Sequence, residues 1–520
     1  WAAVELGGLH EELARLDEAE RCYREAAESL HPEFAPWAML SLGSLLERRG
    51  RVEGAEEEFL RTIESAHPDA AQWAALKLGS LLEALGRTDE AEKAYLPAVE
   101  SDHPEIAPWA ATNLADLYAG TGRDAEAEAM YRRVIVYEKS DASPSAMVKL
   151  GSLFRRREDL GSAEEAYQRA IDSGHPDASP AGAVALGAML GELGRTREAR
   201  IAYYSAMDSG NPRFAPAAAL SLGNLLEETG DTTGSISAFT VASESGDPNI
   251  APSAALSLGG LYASTEDFER AGRFYREAME SSDPGLSAAA ALNLGAMLES
   301  LEEYDGCRSA YQAVIESESA DYAPAAALSM GGLLERLGDI GGARAAYDLA
   351  VASKAPDVAP WAAVSLGALL EGSDSEEACV AYEEAISAGH DEASPAAAVK
   401  LADLLGRLGR VGEAEGAYRA AIDSGNRDVL GWAAVNLGDL LASAGRREEA
   451  VDEYRRAVKA RQPEFAPAAA VKLGDLLAEL GEPVKAQDAY REAILSGDQE
   501  HSVDAALKLG LLLQRSRGSI

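Results

Sequence analysis

The chain has 520 residues, 47% hydrophobic but only 6% aromatic, and 87 acidic against 47 basic side chains leave a formal net charge of −40. So acidic a balance excludes a binder of nucleic-acid backbones, which needs a basic face to displace counterions. Cys22, Cys307 and Cys379 stand apart with no C-x-x-C pair, which excludes a disulfide framework and points to a reducing, cytoplasmic setting. The longest apolar run, 288–298, is shorter than the roughly 18 residues a membrane span requires. The first residue is Trp1 rather than Met, which leaves secretion open.

From the N-terminus onward, a Leu-Gly pair recurs at a nearly constant interval. Aligned on it, the chain breaks into fourteen units starting at 1, 37, 73, 109, 145, 181, 217, 253, 289, 325, 361, 396, 432 and 468, with a half-unit at 504–520. Each unit has 36 residues except the one at 361, which has 35. In the third unit, Leu78, Leu81, Leu82 and Leu85 fall at helical spacing and predict a first helix. Gly86 ends it, since glycine takes positive φ at little cost. Thr88 is expected to cap a second helix, with Asp89 and Glu90 in its first turn. That helix runs through Ala91, Tyr95 and Ala98 and ends near Ser101.

Connectors resemble the stretch from Ser173 to Pro180, where Gly174 ends one helix and Pro180 suits the first turn of the next. No strand signal, linker or composition shift interrupts the series. The expected fold class is therefore all-α: a single array, 1–520, of fourteen helix-turn-helix repeats plus a final helix. The residue missing from the unit at 361 falls at Gly372-Ser373-Asp374, which marks 361–395 as an expected kink. The last helix, from Asp504, carries Leu511 where most units have Gly, Ser, Ala or Asp.

A small residue recurs early in every second helix, such as Ala55, Ala91, Ser235 and Cys307, and four residues later comes an aromatic: Phe59, Tyr95, Phe239, Tyr311. One helical turn apart, the small residue admits a close approach while the ring fills the groove beside it. The aromatic column is accordingly expected to be core.

The run Leu-Gly-x2-Leu, Ala-x3-Tyr, x2-Ala resembles the tetratricopeptide repeat along the whole chain. Departures are the period of 36 against the family's about 34, tryptophans (Trp37, Trp73) further ahead of the Leu-Gly, and prolines displaced to Pro68 and Pro104. Sel1-like repeats share the Leu-Gly but differ in the small-to-aromatic spacing. The resemblance implies an α-solenoid superhelix whose first helices line a concave groove, and a non-catalytic protein–protein interaction scaffold.

No phosphate-loop, dinucleotide or serine-hydrolase motif occurs. His10-Glu11 lacks the second histidine of a zinc pair because Ala14 stands in its place. His31, His67, His103, His175 and His390 share one connector slot, which invites a metal or pH-sensing reading. Asn211, Asp247 and Asp283 fill the same slot, however, so turn chemistry is the reading preferred. Arg155-Arg156-Arg157 closes a first helix and is offset by Glu158 and Asp159, as a solvated helix end would be. No catalytic residue, cofactor or metal is expected.

Just before the leucine of Leu-Gly lies a column that is often polar: Lys77, Asn113, Lys149, Asn293, Lys400, Asn436, Lys472 and Lys508. The resemblance places it on the groove face, where it would grip extended peptides or carboxylates; both residue types donate hydrogen bonds and Asn also engages a backbone. Three residues on come Asp116, Asp403, Asp439 and Asp475. Internal pairing, for example Lys472 with Asp475 or Asp439, is the competing reading. Trp37, Trp73 and Trp109 form a second candidate column with Trp1, Trp361 and Trp432, either as interface anchors or as staples of their own connectors. The acidic coat favours solubility and basic or neutral protein partners, and disfavours anionic membranes. Alternatives to the scaffold are a filament that self-associates head to tail through the array ends, or the sensor or regulatory arm of a larger protein.

Overall fold

The computed structural model describes residues 1–29, 31–101, 103–137, 140–317 and 319–517. Among these residues it contains twenty-nine α-helices and no strand. The chain divides into two compact units, Trp1–Ala254 and Ala255–Ile520. Each is an α-solenoid of helix pairs.

In the first unit the pairs include Ala35–Arg48 with Val52–Glu64, Ala70–Ala84 with Thr88–Val99, and Ile106–Gly120 with Asp124–Ile135. The second unit repeats the scheme with pairs such as Ala323–Arg336 with Ile340–Ala352, Ala393–Arg407 with Val411–Asp423, and Arg427–Ser443 with Arg447–Ala460. Every first helix of these pairs packs on its own second helix and on the second helix before it. It also touches the neighbouring first helices: Ala70–Ala84 reaches both Ala35–Arg48 and Ile106–Gly120. The first helices thus make a continuous layer within each unit.

The close approach inside a pair comes from the Leu-Gly. The aromatic ring of the second helix lies where a side chain on the glycine would be: a Cβ on Gly43 would sit 2.6 Å from Cε1 of Phe59, and one on Gly295 2.5 Å from Cε1 of Tyr311. Ala91, one turn before Tyr95, is fully buried, as are Phe59 and Tyr382. Two pairs have alanine in place of the glycine, Ala115 and Ala402, and both are fully buried.

Glycine ends most first helices in the left-handed region, Gly86 at φ +73° and Gly338 at +77°, whereas Ala14, Glu158, Glu266 and Glu302 adopt it without glycine's freedom. In the unit at 361 the helix stops at Leu370, and the N–H groups of Ser373 and Asp374 both donate to its carbonyl. None of residues 371–374 takes positive φ. The packing still holds register, because the Tyr382 hydroxyl reaches Glu371 at 2.6 Å.

Thr88 is not the cap of the second helix. It lies inside the first turn, and the cap position belongs to Arg87. Other repeats place Asp159, Asp231, Asp267, Asp339 or Asp374 there, each accepting from the backbone N–H three residues on. A short Asp serves its own helix, whereas a long Arg spans two repeats: Arg87 holds Glu56 at 2.7 Å and Glu90 at 2.6 Å. Arg123, Arg195 and Arg446 make the same double contact. The connector histidines also work as caps. His103 Nδ1 accepts from the N–H of Glu105 and Ile106, as Asn211 Oδ1 does from Arg213 and Phe214.

Two outcomes are expected. Gly295→Ala gains about 1 kcal/mol of helix propensity but overpacks Tyr311 at a cost of about 1–3 kcal/mol, so thermal stability falls. A double-mutant cycle should show coupling to Tyr311→Leu and none to Tyr382→Leu. The Arg446 guanidinium holds the Glu449 carboxyl below its ordinary 4.5. A lowered folded value means stability that is fully present above pH 4.5 and lost as pH falls below it through the folded value. The melting-temperature deficit of Glu449→Gln, measured from pH 7 downward, should therefore be constant above pH 4.5 and close as pH falls below it through the lowered folded value.

Candidate functional site

On the inner first helices the leucines of the repeat are buried against the second-helix layer, while Leu6 and Leu507 on the end helices are exposed. Leu76 and Leu78 are buried while Lys77 between them is exposed. The Lys/Asn column therefore lies on the open side of the first-helix layer. Most of it is engaged with the preceding repeat. Lys149 forms an ion pair with Asp116, Lys472 with Asp439, and Lys508 with Asp475 at 2.6 Å and Asp504 at 3.0 Å. Asn436 donates to Asp403 at 3.1 Å, and Asn113 to the Ser80 hydroxyl at 3.3 Å. Lys400 instead lies 5.3 Å from the ring centroid of Trp432.

Lys77 and Asn293 are exposed and, among the described residues, have no side-chain partner. The sequence of the preceding repeat explains this. At the position of the preceding repeat where the paired members find an aspartate or serine, the sequence puts Gly260 for Asn293. For Lys77 the equivalent position is Ser44, which offers no charge.

The same aspartates receive a second contact from behind. The hydroxyls of Tyr131, Tyr418, Tyr454 and Tyr490 pass between the helices and donate to Asp116, Asp403, Asp439 and Asp475. Without the aspartate, the phenol of Tyr167 bonds Ser152 in its place at 3.1 Å, whereas Tyr95 and Tyr311 reach one turn further to Glu83 at 2.8 Å and Glu299 at 2.7 Å. Burial first, and then the bond to Asp439, raise the Tyr454 hydroxyl well above its ordinary range. The ring is core, but the hydroxyl works at the open face. Reading the column as packing alone missed this. The available signal was the count of twelve tyrosines to two phenylalanines, since a purely apolar slot has no use for the hydroxyl.

Between the first helices Ala393–Arg407 and Arg427–Ser443 lies an open cleft of about 540 Å³. Asp403, Arg407, Asn436, Asp439 and Ser443 line it, so donors and acceptors alternate along its wall.

The tryptophans stand one turn before the Lys/Asn column, at the connector end of the same helices. Trp37 meets His67 edge-on at 5.8 Å and Trp361 meets His390 at 6.1 Å, both stapling connectors. Trp73 and Trp109 instead line a second cleft, with Trp109 39% exposed. Cys307 and Cys379 are buried small hydrophobes, and burial pushes the Cys307 thiol up to about 11. Among the described residues no helix is long and apolar enough to cross a membrane.

A model described as tetratricopeptide repeat matches residues 4–71, 76–146, 148–212 and 435–513. A tetratricopeptide repeat-like domain matches 215–371, and a further tetratrico peptide repeat model matches 367–470. No curated protein matches the chain. Among solved structures it is similar to c5321, a protective antigen present in uropathogenic Escherichia coli strains and displaying an SLR fold. The identity is 18% and the TM-score 0.41, over 78% of this chain and 88% of that one.

Tyr454→Phe should cost about 0.5–1.5 kcal/mol, the net value of one hydrogen bond, and should loosen Lys472 by removing a contact that orients Asp439. Denaturant unfolding measures the first effect. Lysine-selective acetylation followed by mass spectrometry measures the second, as faster modification of Lys472.

Proposed function

The chain belongs to the tetratricopeptide-repeat family, and on that premise we propose that it is a non-catalytic scaffold holding an extended segment of a protein partner on its first-helix face. Folds of this kind are typical of protein–protein interaction scaffolds. The observation that carries the reading is the cleft between Ala393–Arg407 and Arg427–Ser443, where Asp403, Arg407, Asn436, Asp439 and Ser443 face solvent together. An extended peptide presents alternating N–H and C=O groups, and a wall of alternating acceptors and donors matches it without a fixed sequence.

The column divides by role in this reading. Lys149, Lys472 and Lys508 are committed to aspartates of the preceding repeat and shape the surface. Lys77 and Asn293 are exposed and unpartnered among the described residues, and make direct contacts together with two cleft residues that keep spare groups beside their own partners, Arg407 paired with Glu371 and Asn436 bonded to Asp403. The net charge of −40 favours basic or neutral partners.

The test is a displayed-peptide selection on the purified chain, followed by affinity measurement of the recovered peptides. Arg407→Ala combined with Asn436→Ala should weaken them by about tenfold or more, as the loss of central contacts does. Lys485→Ala, on a second helix, should leave them unchanged. Equal affinity for all three proteins, with unaltered melting temperatures, overturns the inner-face assignment.

A further inference from the structure

In the second unit one tyrosine of the aromatic column has no acceptor for its hydroxyl. Tyr275, on the helix Phe268–Met279, is 4% exposed and has no hydrogen-bond partner among the described residues. Burial alone raises this hydroxyl, with no neighbouring charge or hydrogen bond contributing. The acceptors used elsewhere are missing from its repeat. Gly260 stands in the aspartate or serine slot, and Ala263 replaces the glutamate that serves one turn further on as Glu83 and Glu299. The ring's own slot takes phenylalanine, as the buried Phe59 and Phe239 show, so packing does not require the hydroxyl.

A second donor beside it is also unused. Asn293, on the helix Pro284–Ser300 that packs against Phe268–Met279, is exposed and unpartnered among the described residues. It stands 33 residues after Gly260, the interval that separates Asn436 from Asp403. In that equivalent pair a single carboxylate oxygen of Asp403 accepts from the Tyr418 hydroxyl and, at 3.1 Å, from the Asn436 amide. In the repeat of Tyr275 both donors remain and the carboxylate is absent. Glycine leaves its place open: Gly260 is exposed, and a Cβ there would meet only the Tyr275 hydroxyl, at 4.0 Å.

We propose that this gap binds a side-chain carboxylate of a protein partner, an aspartate or glutamate that takes the place of the aspartate the repeat lacks. The proposal rests on the reading that an extended segment lies along the first-helix face, and it names the residue type that one repeat selects. Tyr275 donates its O–H and Asn293 an N–H to the incoming oxygen, and bonds to an ionised acceptor are about twice as strong as neutral ones. A nearly buried hydroxyl also gains more from its first acceptor, because it was desolvated without one.

One effect opposes the assignment. The chain's charge of −40 repels anions. Along this stretch, however, the aspartate slot is uncharged in four successive repeats, as Gly260, Ala296, Gly332 and Ala368. Glu299, on the same helix as Asn293, is offset by Arg336. At physiological salt, exposed charges further away than about 8 Å are largely screened.

The probe is a Lys-Ala-Asp-Ala-Lys amide carrying an uncharged nitrobenzoxadiazole on its N-terminus, with a twin holding asparagine for aspartate, titrated by anisotropy at about 0.15 M salt. The acidic coat attracts the more positive twin more strongly, so tighter binding of the aspartate peptide cannot come from that attraction. The aspartate peptide should bind about tenfold more tightly than the twin. Tyr275→Phe and Asn293→Ala should each weaken it by about tenfold, and Tyr275→Phe should leave the melting temperature unchanged, since it removes no bond of the free protein. Gly260→Asp supplies the missing carboxylate from the chain itself; it should abolish binding and raise the melting temperature. Gly332→Asp adds the same charge to a repeat whose Tyr347 already donates to Glu335 at 2.9 Å, and should leave binding unchanged. Arg407→Ala with Asn436→Ala should not affect this probe, so the gap and the cleft stand or fail separately. Three results overturn the proposal: no binding of the aspartate peptide up to about 1 mM, equal or tighter binding of the twin, or Gly332→Asp weakening binding as much as Gly260→Asp does.

Discussion

The glycine of each Leu-Gly and the ring of the following helix occupy space that only one of them can fill. The molecule depends on that exclusion. Because Gly295 has no Cβ, the ring of Tyr311 can lie against the first-helix backbone, and the two helices come close enough for a phenol to pass between them. Protein interiors tolerate little extra volume, so repetition of this contact repeats the same helix-pair geometry along each compact unit. Ala115 and Ala402 carry one methyl group at this position and are fully buried. Both are followed by an aspartate that receives the tyrosine hydroxyl.

Passing the phenol through the pair has a consequence for the open face. The aspartates there are oriented from behind by tyrosine and from the side by the Lys or Asn of the next repeat. Within a repeat, the hydroxyl links the second helix to the inner layer. Between repeats, the ion pair links successive first helices. On the opposite layer, Arg87 and its equivalents do the same for successive second helices. A column that looks free in one dimension is therefore largely spoken for in three. What remains for a partner is set by exceptions, the repeats that lack the aspartate.

The helices, their pairing and the repeat length were legible because apolar spacing and glycine placement recur many times, and a repeated local signal survives individual departures. The cap of the second helix was misplaced by one residue, since Thr88 is a common cap type and Arg87 is not. The arginine is explained by Glu90 of its own helix together with Glu56 of the preceding repeat. The shared duty of His103 and Asn211 as backbone acceptors was readable from their common slot, because turn geometry is local.

By itself the sequence determined what depends on near neighbours along the chain: the all-helical class, the period, the helix ends and which side of each helix is apolar. Tertiary structure alone decided which polar residues are partnered, because those contacts join residues about one repeat apart and depend on which residue the preceding repeat presents. Lys77 and Lys472 are equivalent in sequence pattern, yet the preceding repeat offers Ser44 to one and Asp439 to the other. Tertiary structure also decided that Trp37 staples a connector while Trp109 borders a cleft. The rings share a position in the repeat, yet one meets a histidine edge-on and the other lines a cleft.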